Sequence, residues 1–221
     1  MAENSPIARS PIAVAPPETL VGGWAVSGRS SDAALTMTDC TPLAKVTVKA
    51  TWDGAMSKAL GVGLGHTAGQ TWKLGPGGDQ VLLVGSGPGE WLVLAAPGAQ
   101  APVAQWLTGL ANSADEPVSI VDLTHGRALV RLTGGRSPDV LAKECGVDLS
   151  DAVFPDRAAL RAAVAGVATD IVRDDVNGTR SYLLHCERSS GQYLADSLLD
   201  AGAEYDIDVD GFVPPGIYEE S

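Results

Sequence analysis

The chain has 221 residues, with 15 lysines and arginines against 27 aspartates and glutamates, a net charge of −12, and 45% hydrophobic residues. This length admits one large domain or two small ones that fold without staples, and the acidity opposes binding to nucleic acid or to an anionic membrane surface. Cys40, Cys145 and Cys186 are odd in number and widely spaced, so they form neither a disulfide framework nor a zinc pattern and read as buried thiols of a cytoplasmic protein. With no basic-then-apolar leader and no apolar run of about 18 residues, secretion and membrane insertion are not expected.

In chain order, residues 1–20 carry Ser5-Pro6, Ser10-Pro11 and Pro16-Pro17 and read as an extended arm, either disordered or wrapped on a neighbour. Alternation over Val46 to Trp52 predicts a half-buried strand with Val46, Val48, Ala50 and Trp52 inward. Asp53 is then placed to cap a short helix through Leu60, stopped by Gly61. Val81–Val84 and Trp91–Ala95 flank Gly85-Ser86-Gly87-Pro88-Gly89 and predict a hairpin. Pro102 introduces a helix with Val103, Trp106, Leu107 and Leu110 on one face. Strands follow at Val118–Leu123 and Ala128–Thr133. Ser137-Pro138-Asp139 supplies an N-cap, an N1 proline and an early acid for a helix ending at Gly146. Further strands are expected near Val167–Arg173 and Tyr182–Glu187. Ser189 to Gln192 has capping-box spacing for a last helix whose face is Tyr193, Leu194, Ser197, Leu198 and Ala201. Strand, strand, helix therefore recurs three times, an α+β fold with an antiparallel or mixed sheet and helices packed on it. The expected organisation is an arm over 1–20, one domain over 21–205 and a solvated acidic tail over 206–221.

The motifs that invite chemistry are incomplete. Gly61-Val62-Gly63-Leu64-Gly65 and the glycines at 85–89 lack dinucleotide and P-loop spacing and read as turns. Asp206-Ile207-Asp208-Val209-Asp210-Gly211 begins like a calcium loop, but position 12 is Ile217 and Pro214 and Pro215 fall inside it. His66, His125 and His185 are far apart, with no second histidine at helical spacing. His125, in the turn Asp122-Leu123-Thr124-His125-Gly126-Arg127, stands beside an acid and a base; a catalytic role is open to it, but a turn held by side-chain hydrogen bonds is the simpler reading. No G-x-S-x-G elbow occurs, and Asn177-Gly178 reads as a hairpin turn. Five tryptophans, all in the first half, face only two phenylalanines. Trp52 and Trp106 fit core patterns, whereas Trp24 and Trp72 lie in glycine-bounded segments and are expected to bury on a partner. No catalytic, cofactor or metal residue is assigned. The expected partner-contact residues are Pro11, Trp24, Trp72, His125 and Arg127.

Four segments carry a family resemblance: Asp39-Cys40-Thr41-Pro42-Leu43-Ala44-Lys45-Val46, Gly87-Pro88-Gly89-Glu90-Trp91-Leu92-Val93-Leu94, Val121-Asp122-Leu123-Thr124-His125-Gly126-Arg127 and Glu187-Arg188-Ser189-Ser190-Gly191-Gln192-Tyr193-Leu194. In this order, with Ser10-Pro11-Ile12-Ala13 ahead of them, the chain resembles the gamma subunit of heterotetrameric sarcosine oxidase from about residue 10 to 205. Gly89, where that family carries an aspartate, and the inserted Gly126 depart from its pattern. The resemblance implies a fold like the folate-binding domain of glycine-cleavage aminomethyltransferases. It also implies a cytoplasmic complex with alpha, beta and delta subunits that demethylates sarcosine to glycine, forming hydrogen peroxide, with tetrahydrofolate accepting the one-carbon unit. FAD, FMN, NAD and zinc would then belong to the other subunits, and this chain would hold no cofactor. A stand-alone folate-binding protein or aminomethyltransferase, and the homologous subunit of N-methylglutamate dehydrogenase, are the competing readings.

Overall fold

The computed structural model describes residues 6–67 and 81–214. Strands β1 (Ala8–Arg9), β2 (Glu18–Val21) and β3 (Trp24–Ser27) form a small sheet with β3 in the centre. Two larger sheets are built from interleaved parts of the chain. The four-stranded one has the order β6-β7-β5-β8, from β5 (Ala44–Lys49), β6 (Val81–Gly87), β7 (Glu90–Ala95) and β8 (Ser119–Asp122), all antiparallel. The six-stranded one has the order β10-β11-β12-β9-β4-β13. Its strands are β4 (Leu35–Asp39), β9 (Arg127–Gly134), β10 (Ala159–Val164), β11 (Val167–Arg173), β12 (Ser181–Glu187) and β13 (Asp208–Asp210). β13 runs parallel to β4, and every other pair in this sheet is antiparallel.

Side-chain alternation stacks these sheets into four layers. On β7, Trp91, Val93 and Ala95 pack with Met56 and Leu60 of α1 (Ala55–Leu60) and with Val103 and Leu107 of α2 (Gln100–Asn112). On β9 and β12, Ala128, Val130, Leu132, Tyr182 and Leu184 pack with α3 (Ser137–Glu144) and α4 (Gly191–Gly202). The alternate residues, Leu92 and Leu94 from one sheet and Leu129 and Leu183 from the other, meet between the sheets. A helix layer thus covers the outer face of each sheet, and both faces of the central strands are buried.

The α+β expectation holds, with strand–strand–helix in chain order, but the sheet is two sheets. β8 and β9, read as neighbours, do not pair: β8 edges the four-stranded sheet beside β5, while β9 lies inside the six-stranded one. β5 is also not half-buried. It ends at Lys49, its alternate residues Lys45 and Thr47 are covered by the second sheet, and Trp52, beyond its end, is 49% exposed. Asp53 takes a φ of 56° and does not cap α1; the Glu116 carboxylate accepts the Met56 N–H at 2.8 Å. Ser137 lies already inside α3, its hydroxyl donating to the Gly134 carbonyl at 2.6 Å, and the helix stops at Glu144, before Gly146. The capping box is absent, because the Gln192 side chain accepts the Ala13 N–H at 2.7 Å, across the fold.

The two glycine clusters have a mutual explanation. A Cβ on Gly85 would sit 2.1 Å from the Gly63 carbonyl oxygen, and the Gly85 N–H and C=O bond to His66 and Gly65 across the same contact. The glycines allow two backbones to cross, which a side chain would prevent. Gly89 has a φ of 68°, and a Cβ there would lie 2.4 Å from the Ala50 carbonyl. Gly89→Ala is therefore expected to cost about 1–3 kcal/mol of stability, read as a lower urea midpoint with unchanged slope.

Both ends of the described chain join the fold. Residues 8–9 and 18–21 are strands on β3, and Ile12 is buried against the α4 side of the six-stranded sheet, so residues 6–20 wrap this chain itself. Within the segment read as a solvated tail, Asp208–Asp210 form β13 and Phe212 is buried. Two acidic side chains there are engaged: Asp208 pairs with Arg29 at 3.0 Å, and Asp210 accepts the Ser31 N–H at 3.1 Å.

Candidate functional site

The turn between β8 and β9 carries the chain from one sheet to the other, and its polar residues hold it in place. The Asp122 carboxylate accepts the Thr124 N–H at 2.8 Å, the Thr124 hydroxyl accepts the Lys45 N–H at 3.0 Å, and the Gly126 N–H closes on the Leu123 carbonyl at 2.9 Å. This is the turn chemistry read from the sequence. His125 is exposed at the tip and stacks on Trp24, with ring centroids 4.8 Å apart and planes 9° apart. Arg127 pairs with Glu187 at 2.7 Å. Arg188 donates its backbone N–H to Gly126 and its guanidinium to the Arg9 carbonyl at 2.6 Å, which ties the arm to the turn. Pro11 packs over Gly191 at the start of α4, where a Cβ would lie 2.8 Å from the proline ring.

Beneath this surface lies Lys45, fully buried. Its ammonium donates to the Thr41 and Leu43 carbonyls at 2.6 and 2.7 Å. Burial pushes its pKa down to about 7, against the pull of Asp39, Cys40 and Asp122. The amine pins the turn leading from β4 into β5, where the Asp39 carboxylate also accepts the Thr41 N–H at 2.9 Å.

A second polar group lies in the inter-sheet layer. His185 on β12 is buried, its Nδ1 3.0 Å from Asp170 on β11, and Asp170 also pairs with Arg161. Burial lowers the His185 pKa more than Asp170 raises it, so the ring is neutral and donates from Nδ1. Burial raises Asp170, but its bonds to His185 and Arg161 outweigh that and leave the carboxylate ionised. His185 Nε2 is then an acceptor with no hydrogen-bond partner among the described residues.

Of the residues expected at a partner contact, Pro11, Trp24, His125 and Arg127 fall in one region, linked through the arm, the 123–126 turn and the start of α4. Trp24 is not left over for a partner: its indole is 3% exposed, packed with Leu43, Leu82 and Leu129 because β3 is the middle strand of the small sheet. Trp72 lies outside the described residues. Lys45 and His185 were missed. For His185 a signal existed, since the run Tyr182-Leu183-Leu184-His185-Cys186 is apolar on both faces, as a fully buried strand must be. Lys45 carries no such signal, because a lysine alternating with valines looks like the wet face of a strand.

Residues 76–213 match the family model described as the GCVT N-terminal domain. The chain belongs to the GCVT N-terminal domain family. This GCVT-family chain is 30% identical over 155 residues to the sarcosine oxidase gamma subunit of a Corynebacterium species, covering 68% of this chain and 70% of that one. It is 28% identical over 153 residues to the Arthrobacter gamma subunit, with the same coverage. It is thus a homologue of sarcosine oxidase gamma subunits. An aminomethyltransferase of Geobacillus thermodenitrificans is 29% identical over 139 residues, which cover 63% of this chain and 36% of that protein. Among solved structures, a chain of heterotetrameric sarcosine oxidase from Corynebacterium superposes with a TM-score of 0.66 at 22% identity, covering 80% of this chain and 88% of that one. Aminomethyltransferase T of the Bartonella henselae glycine cleavage system gives 0.65 at 15% identity, covering 88% and 55%. These likenesses establish the GCVT fold for the layers described above.

Proposed function

We propose that the chain is the gamma-type subunit of a heterotetrameric sarcosine oxidase, a non-catalytic member that supports assembly with alpha, beta and delta subunits. The observation that carries this reading is the gamma-subunit match, which runs over about two thirds of both partners, whereas the aminomethyltransferase match takes in about a third of that enzyme. In this reading FAD, FMN, NAD and zinc are held by the other subunits, and tetrahydrofolate is the co-substrate of the complex. The surface offered to a partner is the end of the fold where Pro11, His125 and Arg127 meet, with Trp24 backing His125 and Arg9 and Arg188 beside them. Lys45 pins the turn from β4 into β5 behind that surface, the Asp170–His185 pair ties β11 to β12 within the six-stranded sheet, and both are given a supporting, not a reactive, role.

The test is coexpression with alpha, beta and delta oxidase subunits. The expected result is stoichiometric copurification with the flavin-containing chains, and no sarcosine-dependent peroxide from this chain alone. His125→Glu with Arg127→Glu is expected to reduce copurification while leaving the melting temperature of the free chain within a few degrees. Turnover by the isolated chain, or a chain that stays free in the presence of all three partners, overturns the assignment.

A further inference from the structure

A cleft of about 70 Å³ lies between the arm and the C-terminal end of the six-stranded sheet. One wall is the arm, Ile12 to Ala15; the others come from Met37, Leu199, Val209 and Phe212. That space exceeds what one or two waters fill and suits a body of about five heavy atoms. Two carboxylates, Asp39 and Asp210, also line it, while no lysine, arginine or histidine does among the described residues.

Neither carboxylate has an ion-pair partner among the described residues. Asp39 accepts the Thr41 N–H at 2.9 Å and the Ser10 hydroxyl, and Asp210 accepts the Ser31 and Gly211 N–H groups at 3.1 and 2.9 Å. All these donors are neutral. Burial raises the Asp39 pKa against these hydrogen bonds and the pull of Lys45, which acts only through space because its amine is turned to two backbone carbonyls. An apolar cleft whose lining carries two carboxylates and, among the described residues, no cation selects its occupant by sign. An anion is repelled, and a zwitterionic amino acid brings a carboxylate that finds no cation in the lining. A second copy of this chain, at a net charge of −12, is repelled too.

We propose that this cleft binds a small alkylammonium ion of about five heavy atoms, its chain against Met37, Leu199 and Phe212 and its ammonium on Asp39. The inference does not depend on the proposed oxidase role. The same chemistry comes from a free amine or from a lysine side chain, and the two are separable by probe.

The experiment is a two-dimensional amide NMR titration of the full chain with n-butylammonium, n-butanol and butyrate at equal ionic strength, following Ala13, Thr41 and Gly211. Saturable shifts with n-butylammonium at about 1–10 mM are expected for a ligand this small. Binding about tenfold weaker is expected for n-butanol and for n-butylammonium on Asp39→Asn, which keeps the acceptor for Thr41 but not the charge. Leu199→Trp, which fills the cleft and leaves the carboxylates in place, is expected to abolish the shifts. Saturation by Nα-acetyllysine methylamide as well supports the site and assigns it to a lysine side chain; binding of n-butylammonium without it supports the site and assigns it to a free amine. Equal affinity for n-butanol, full affinity on Asp39→Asn, or shifts that rise linearly without saturating in the wild type overturn the proposal.

Discussion

Trp91→Ala is expected to lower the unfolding free energy by about 3–5 kcal/mol, the range for truncating a buried aromatic. Trp91 is 1% exposed and sits on β7 among Val46, Val48, Met56 and Val103, so its removal opens a cavity between the four-stranded sheet and its helix layer. Its indole N–H also donates to the Val62 carbonyl at 2.9 Å, and alanine leaves that buried acceptor unpaired. Trp91→Phe separates the two effects: most of the ring stays buried, the hydrogen bond is lost, and a cost of about 1–2 kcal/mol remains. Trp52→Ala is the control. That ring is half exposed, and its loss is expected to change stability by about 0.5 kcal/mol or less. Urea unfolding of the three variants, followed by circular dichroism, checks the order; a Trp91→Ala midpoint equal to that of Trp52→Ala would contradict the packing described.

The second large effect is a stability that rises with pH above neutrality and depends on Lys45. A lysine ordinarily titrates near 10.5, and burial brings this one down to about 7. Above the ordinary value both folded and unfolded chains carry a neutral amine. As pH falls from there toward 7, the unfolded chain takes up the proton and the folded chain does not, so folding loses stability throughout that window. Below about 7 both are charged and the difference is constant, on the order of 5 kcal/mol. The clean interval is pH 7 to 8.5, where about 2 kcal/mol is expected. Above it the buried thiols Cys40 and Cys186, pushed up to about 11, act in the opposite sense. Below it the depressed His185 begins to cost stability as pH falls through its ordinary value. Lys45→Met is expected to flatten the slope between pH 7 and 8.5. At pH 7 it should be close to wild type in stability, since relief of the buried charge offsets the Thr41 and Leu43 carbonyls left without their donor. A slope that survives in Lys45→Met would place the titrating group elsewhere.

Local pattern carried the elements it can carry. The 81–95 hairpin and the helix behind Pro102 are written in short-range signals: glycines at a turn, and apolar residues at helical spacing. What the pattern does not contain is which strands share a sheet. Val46, Val48 and Lys45 alternate as a half-wet strand would, and only the arrival of a second sheet over Lys45 and Thr47 makes that face dry. The same limit hid the division between β8 and β9, which a four-residue turn makes look like neighbours. Capping failed at Ser137 and at Ser189 because tertiary partners, Gly134 in one case and Ala13 with Gln192 in the other, offered better hydrogen bonds than the helix ends did. At the candidate site the exposed turn was readable from its residue types, whereas the buried amine and imidazole behind it became visible only with the layers in place.

The pairing of β13 with β4 also sets an order of events during synthesis. Asp208 meets Thr36 across about 170 residues of intervening chain, so the edge of the six-stranded sheet stays open until nearly all of that chain has been made. The small sheet and the β6–β7 hairpin form from contiguous segments and have no such delay. A nascent chain halted before β13 would therefore show translating quality control an unpaired β4 edge, and a bulky fusion placed soon after Phe212 should depress yield more than one placed at the arm.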